Sequence, residues 1–107
     1  MKNRKFESIS KKDEISKIFS KGRVVSDSIY LLKYLPNKKF RLGLSVAKKN
    51  FKHSIVRNKI RRQLRNIFYS FKSLPNVDLF VVVKNTYKPT EYHAMTKKLE
   101  TLCKKIK

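Results

Sequence analysis

The chain has 107 residues, room for one domain and not two. Hydrophobic residues make up 40%, enough for a modest core, so wholesale disorder is excluded. Lys and Arg total 28 against 7 acids, a formal charge of +21, which draws polyanions and strains a compact chain by self-repulsion. The imbalance is regional: from Ser28 to Val77 there are thirteen Lys or Arg and no Asp or Glu. Nucleic acid is the first partner such a stretch suggests, ahead of an anionic membrane surface or an acidic protein.

Taken in chain order, residues 1–8 are polar and are expected to be loose. Ser10 reads as an N-cap, with Asp13 and Glu14 in the first turn where acids suit the helix dipole. Ile15, Ile18 and Phe19 form one stripe and Gly22 reads as a stop, which predicts a helix over about 11–20. From Ser28 the pattern changes. SIYLLKYL ends at Pro36-Asn37 and KFRLGLSVA follows, so the spacing predicts a β-hairpin of strands at about 28–35 and 40–47. Tyr30 and Tyr34 share one face of the first strand, where core packing competes with stacking on unpaired bases.

KKNFKHSIVRNKIRRQLRNIF, Lys48 to Phe68, is the most charged stretch. Between Lys48 and Arg65 it holds eight Lys or Arg and no acid. At 100° per residue, Ile60, Leu64, Ile67, Phe68 and Phe71 fall in one apolar arc. Arg57, Arg61 and Arg65 lie four apart on an adjacent stripe, with Asn58 and Arg62 beside them. Like charges at that spacing cost a few tenths of a kcal/mol per pair, a cost that an external anion relieves. Arg61 and Arg65 can fork onto phosphate oxygens, and Lys48, Lys49 and Lys59 add point charges. Asn58 can reach a base, sugar or phosphate, or can brace the loop before it. Two strands rather than a helix precede this segment, which disfavours a helix-turn-helix.

LFVVV, Leu79 to Val83, predicts a strand buried on both faces. It is also the longest apolar run, far short of the roughly 20 residues of a membrane span. TEYHAMTKKLETLCKKI predicts a final helix with Thr90 as N-cap after Pro89 and a stripe of Met95, Leu99, Leu102 and Ile106. Its Lys98, Lys104, Lys105 and Lys107 suit the C-terminal half, as a solvated face. The elements together predict an α/β sandwich. Cys103 is the only cysteine and reads as a small core residue. No internal disulfide can form, and no apolar signal core opens the chain, which together suggest the cytoplasm.

Nothing in the sequence reads as a catalytic centre. His53, His93 and Cys103 have no metal-ligand spacing, the seven acids are scattered, and with only two glycines there is no phosphate loop. The chain therefore reads as a binder whose partner supplies any chemistry.

RLGLSVAKKNFKHSIVRNKIRRQLRNIF resembles the signature of the bacterial ribonuclease P protein subunit. The match is a Gly in an apolar strand, a Lys-Lys pair, then Arg-Asn-x-x-[Lys/Arg]-Arg-x-x-Arg: Gly43, Lys48, Lys49, Arg57, Asn58, Arg61, Arg62 and Arg65. The order of elements from about 10 to 106 fits as well. The chain departs from the family at Ser54, often Ala, and at Ile15, often aromatic, which weakens stacking at that spot.

The resemblance implies a single α+β two-layer domain, an αβββαβα fold with a left-handed βαβ crossover, against the general right-handed rule. It implies an accessory subunit of a ribonucleoprotein endoribonuclease. The catalytic RNA, with Mg²⁺ held mainly by that RNA, frees the mature 5′ end of precursor tRNA. Lys48, Lys49, Arg57, Asn58, Lys59, Arg61, Arg62 and Arg65 are then expected to face the catalytic RNA. Lys11, Ile15, Phe19 and Lys33 are expected to line a cleft for the single-stranded 5′ leader. Alternation puts Lys33 on the opposite strand face from Tyr30 and Tyr34, so if Lys33 faces the cleft, core packing is the expected fate of those tyrosines, with stacking on RNA the alternative. No catalytic residue, metal ligand, small-molecule cofactor or membrane contact is expected of the protein itself. The alternative is a structural RNA binder of ribosomal or chaperone type.

Overall fold

A computed structural model describes residues 6–71 and 74–106. The elements run β1 (Glu7–Ser8), α1 (Lys12–Lys21), β2 (Arg23–Ser26), β3 (Tyr30–Pro36), β4 (Arg41–Val46), α2 (Ser54–Ser70), β5 (Val77–Val83), a 3₁₀ turn (Pro89–Glu91) and α3 (Tyr92–Cys103). From α1 onward this is the expected αβββαβα order. The sheet order is β1-β4-β5-β3-β2.

The expected hairpin between the strands near 28–35 and 40–47 does not form. β5 lies between them, antiparallel to β3 and parallel to β4. The reason is in β5 itself: VDLFVVV is apolar on both faces and, as the middle strand, is covered on both. The chain leaving β3 crosses the start of β5, where the Asn37 N–H donates to the Asn76 carbonyl at 2.9 Å. The true hairpin is β2–β3, with Arg23 opposite Tyr34 and Ser26 opposite Leu31. Residue patterning passed over β2, which is only four residues long and sits at the edge. Asp27 closes its turn, Oδ1 accepting from the N–H groups of Ile29 at 2.8 Å and Tyr30 at 2.7 Å.

Three further expectations shift. Residues 6–8 are ordered, not loose: Phe6 is buried, and Glu7 and Ser8 pair in parallel with Arg41 and Leu42. Residues 1–5 and Lys107 lie outside the described residues. Ser10 is not the N-cap. The Ile9 N–H still donates to the Leu42 carbonyl, extended backbone persists to Lys11, and Lys11 takes the cap position without a side-chain bond. Thr90 likewise is not a cap, because Pro89 opens a 3₁₀ turn and α3 starts only at Tyr92.

Strand alternation divides the interior. Tyr30, Leu32, Tyr34, Leu42, Val46, Leu79, Val81 and Val83 face α2 and α3, meeting Ile60, Leu64, Ile67, Phe68, Met95, Leu99 and Leu102. The Tyr30 hydroxyl donates to the Met95 carbonyl at 3.0 Å, so Tyr30 and Tyr34 are core. The other sheet face carries a small cluster of Ile9, Ile18 and Phe80, with Ile15, Leu35 and Val82 packed against it under α1. α1 thus adds a partial layer opposite the main sandwich.

Candidate RNA interface and leader cleft

α2 buries one face and offers the other. Its apolar arc is as expected, with Ile60, Leu64, Ile67 and Phe68 buried, while Phe71 caps the helix, half-buried and edge-on to Phe68. The helix starts at Ser54, three residues before Arg57, and its first turn holds no acid. Asn58, Arg61, Arg62 and Arg65 come together with Asn66 and Tyr69 around a shallow groove of about 430 Å³. Asn66 and Tyr69 were not anticipated. They continue the Arg62 and Arg65 faces one turn on, a signal present in the spacing.

The individual cations differ in freedom. Arg57 is half-buried, and its Nη1 donates to the Phe51 and Lys52 carbonyls, each at 2.9 Å. It braces the loop that launches α2. Asn58 neither braces that loop nor stands alone: its Oδ1 accepts from Arg61 Nη1 at 3.1 Å and so aims that guanidinium. Lys59, Arg62 and Arg65 are exposed along α2. Lys48 and Lys49 are exposed on the turn that follows β4, whose backbone is closed by the Asn50 and Phe51 N–H groups donating to the Ala47 carbonyl. Among the described residues no carboxylate pairs with this cationic face of α2, the condition for docking a phosphate backbone.

The carboxylates are spent elsewhere. Arg41 on β4 forks onto Asp78 of β5 through Nε and Nη2 at 2.8 and 2.7 Å, and its Nη1 meets Glu14 of α1 at 2.7 Å. Asn37 adds a bond to Asp78 at 2.6 Å. The hydrogen bonds from Arg41 hold the Asp78 carboxyl below its ordinary range, against the opposing effect of burial. Lys39 pairs Glu7 on the exposed edge and lowers that carboxyl too. Among the described residues no three His, Cys, Asp or Glu lie together where they could hold a metal ion. Desolvation pushes the Cys103 thiol up to about 12, which makes it a poor nucleophile at neutral pH.

On the opposite face of the sheet, α1 packs against β3 and β5, where the residues expected to line the leader cleft are found. Lys33 Nζ donates to the Phe19 carbonyl at 2.9 Å and stands 5.1 Å from the centre of the Phe19 ring. Phe19 is 37% exposed and meets Phe80 edge-on at 5.2 Å. Ile15 is half-buried against the small cluster beneath α1, and Lys11 is exposed at the head of that helix. So Phe19 and Lys33 touch, whereas Ile15 and Lys11 lie successively one turn back along α1. Phe80, buried beneath Phe19, was not anticipated beside these residues, because LFVVV reads only as core. Gly43 makes room for it: a Cβ there would stand 2.4 Å from the Phe80 ring. At the end of α1, a Cβ on Gly22 would come within 2.3 Å of the Ile18 carbonyl oxygen, so close approach and not a left-handed turn requires glycine. On β2, Val24 sits beside Lys33 and is 54% exposed.

The chain and its fold are similar to known proteins. The family model described as Ribonuclease P matches residues 3–107. The ribonuclease P protein component of Streptococcus agalactiae serotype Ia is 35% identical over 85 residues, 77% of each chain. That of Carboxydothermus hydrogenoformans is 29% identical, covering 92% of this chain and 90% of its own. The solved structure of the Staphylococcus aureus RNase P protein superposes with a TM-score of 0.84 at 30% identity, covering 94% of both chains. The Thermotoga maritima RNase P protein, at 22% identity and a TM-score of 0.81, supports the fold. The chain is therefore a member of the ribonuclease P protein family, the protein components of the tRNA-processing ribonucleoprotein endoribonuclease.

Proposed function

We propose that the outer face of α2 docks on the catalytic RNA and that the cleft beneath α1 receives the 5′ leader of precursor tRNA. The observation that carries this reading is the separation of the two surfaces. An acid-free cationic helix face lies on one side of the sheet, and an exposed aromatic, Phe19, with Lys33 and Lys11 nearby lies on the other. Arg61, Arg62 and Arg65 engage phosphates, with Lys48, Lys49 and Lys59 as flanking charges. Arg57 and Asn58 act one step back, by setting the loop and by aiming Arg61. In the cleft, Phe19 offers an aromatic surface to an unpaired base while Lys33 and Lys11 attract the backbone.

Among the described residues no three His, Cys, Asp or Glu stand together, and Glu14 and Asp78 are closed around Arg41, so these donors do not fit a Mg²⁺ site. The Mg²⁺ needed for hydrolysis is accordingly assigned to the RNA. The protein contributes charge neutralisation and substrate placement, and works in the cytoplasm with its RNA. No helix among the described residues is long and apolar enough to cross a membrane.

The test is a processing assay at low Mg²⁺ with precursor tRNA and a catalytic RNA, with and without the protein. Cleavage at the mature 5′ end that requires the RNA and is accelerated by the protein is the expected result. Tight RNA binding without any change in cleavage would favour a purely structural RNA binder. Cleavage by the protein alone would overturn the assignment of chemistry to the RNA.

A further inference from the structure

α3 carries a second cationic surface, apart from that of α2. Lys97, Lys98 and Lys105 are exposed, and with Ala94 and Thr101 they border a groove of about 450 Å³ whose opposite wall is Asp27 at the tip of the β2–β3 hairpin. The small side chains between the lysines leave the concavity. The Asp27 carboxylate is turned into the hairpin, where it accepts two backbone N–H groups. Lys84 Nζ donates to the Asp27 carbonyl and adds a cation at the same tip. None of the three lysines joins an ion pair among the described residues. Lys97 has Glu100 three residues on, but Lys98 has only Ala94, Met95, Thr101 and Leu102 at helical-neighbour spacing, and Lys105 only Thr101 and Leu102, so these two lack an acid on their own face. The sequence alone suggested a solvated face. The groove and its position argue otherwise.

Position selects the occupant. β2 is the outer strand on the cleft side of the sheet, and its exposed Val24 stands beside Lys33. Three residues separate Val24 from Asp27, about 10 Å of strand at roughly 3.3 Å per residue. α2 packs over β4, toward the other edge. A single strand leaving the α1 face over the β2 edge and turning around that edge to the other face of the sheet therefore meets the α3 groove beside Asp27 before the α2 stripe, which lies toward the far edge. We propose that this groove holds the ribose-phosphate backbone of the leader segment distal to the cleavage site. The inference rests on the leader reading of the cleft.

The test uses the reconstituted holoenzyme with the exposed lysines replaced together, Lys97→Gln, Lys98→Gln and Lys105→Gln, and an unchanged circular dichroism spectrum as a folding control. Three substrates are compared: precursor tRNA with a leader of a few nucleotides, precursor tRNA with a leader several times longer, and mature tRNA. Wild-type enzyme that binds mature and precursor tRNA equally would defeat the leader reading itself, before any variant is made. If that discrimination holds, the triple variant should lose affinity for the long leader alone. Its salt slope should fall by about two units, for three single-strand phosphate contacts at roughly 0.7 each. Equal loss for all three substrates would move the groove to the catalytic RNA or the tRNA body and overturn the proposal. No loss for any of them would return the lysines to solvent and overturn it too.

Discussion

On one face of the sheet Leu79, Val81 and Val83 disappear beneath α2 and α3; on the other, Phe80 and Val82 share the single helix α1 with Lys33. The strands are the same and only the alternate residues differ. The first face is sealed by apolar contact, and its bulk is what holds the fold together. The second is covered at one end, where Arg41 ties Glu14 to Asp78, and open at the other, where Phe19 and Val24 meet water. The thin cover here leaves a surface able to accept a ligand without unfolding anything.

Replacing Leu64 with Ala on the sealed face should cost about 2–5 kcal/mol in denaturant unfolding, as a fully buried leucine does. Val24→Ala on the open face should stay within about 0.5 kcal/mol. Similar costs at the two sites would erase the distinction between the faces.

The double change Arg61→Ala and Arg65→Ala should weaken RNA binding by about 1–3 kcal/mol per engaged contact and lower the salt slope by about one unit for each phosphate lost. Folding stability should hold or rise, because like charges leave the helix. An unchanged salt slope would rule out phosphate engagement by this pair.

Phe19→Ala sharpens the contrast from the open side. Precursor tRNA should lose about 1–3 kcal/mol of affinity, the range for one base–aromatic stack, while mature tRNA is unaffected. Equal loss for both, or a fall in melting temperature comparable to that of Leu64→Ala, would make Phe19 a packing residue.

The smallest expected effect concerns acid. The carboxyl of Asp78 is lowered in the folded state, so its contribution is present above its ordinary 3.8 and is lost as pH falls through the lower folded value. Melting temperature should therefore drop more steeply in that window for the wild type than for Asp78→Asn. Parallel curves would mean that the ion pairs at the closed end of the cleft hold nothing.

Much of the candidate surface was legible because it is local. Helical spacing alone placed Ile60, Leu64 and Ile67 inward and Arg61, Arg62 and Arg65 on the basic side, since one helix fixes the directions of its own side chains. Alternation alone separated Lys33 from Tyr30 and Tyr34. The hairpin was misjudged for the opposite reason. Whether two strands near in sequence pair depends on what else competes for their edges, and β5 took one edge of each. The same non-local pairing hid Phe80, which reads as core until Gly43 and Phe19 are seen beside it. It also hid the freedom of each cation: Arg57 looks like Arg61 in the sequence, and only the path of the preceding loop shows that two carbonyls claim it.

By itself, then, the sequence determined the acid-free charge, the amphipathic faces of the helices, the alternation along β3, and a motif that resembles one family. These follow from periodicity and composition, which act within a segment. Tertiary structure decided the strand order, the cleft that Phe19, Lys33 and Phe80 share, and the groove joining α3 to the β2–β3 tip. Each of those depends on residues distant in the chain meeting across a sheet, and no local pattern specifies which edges meet.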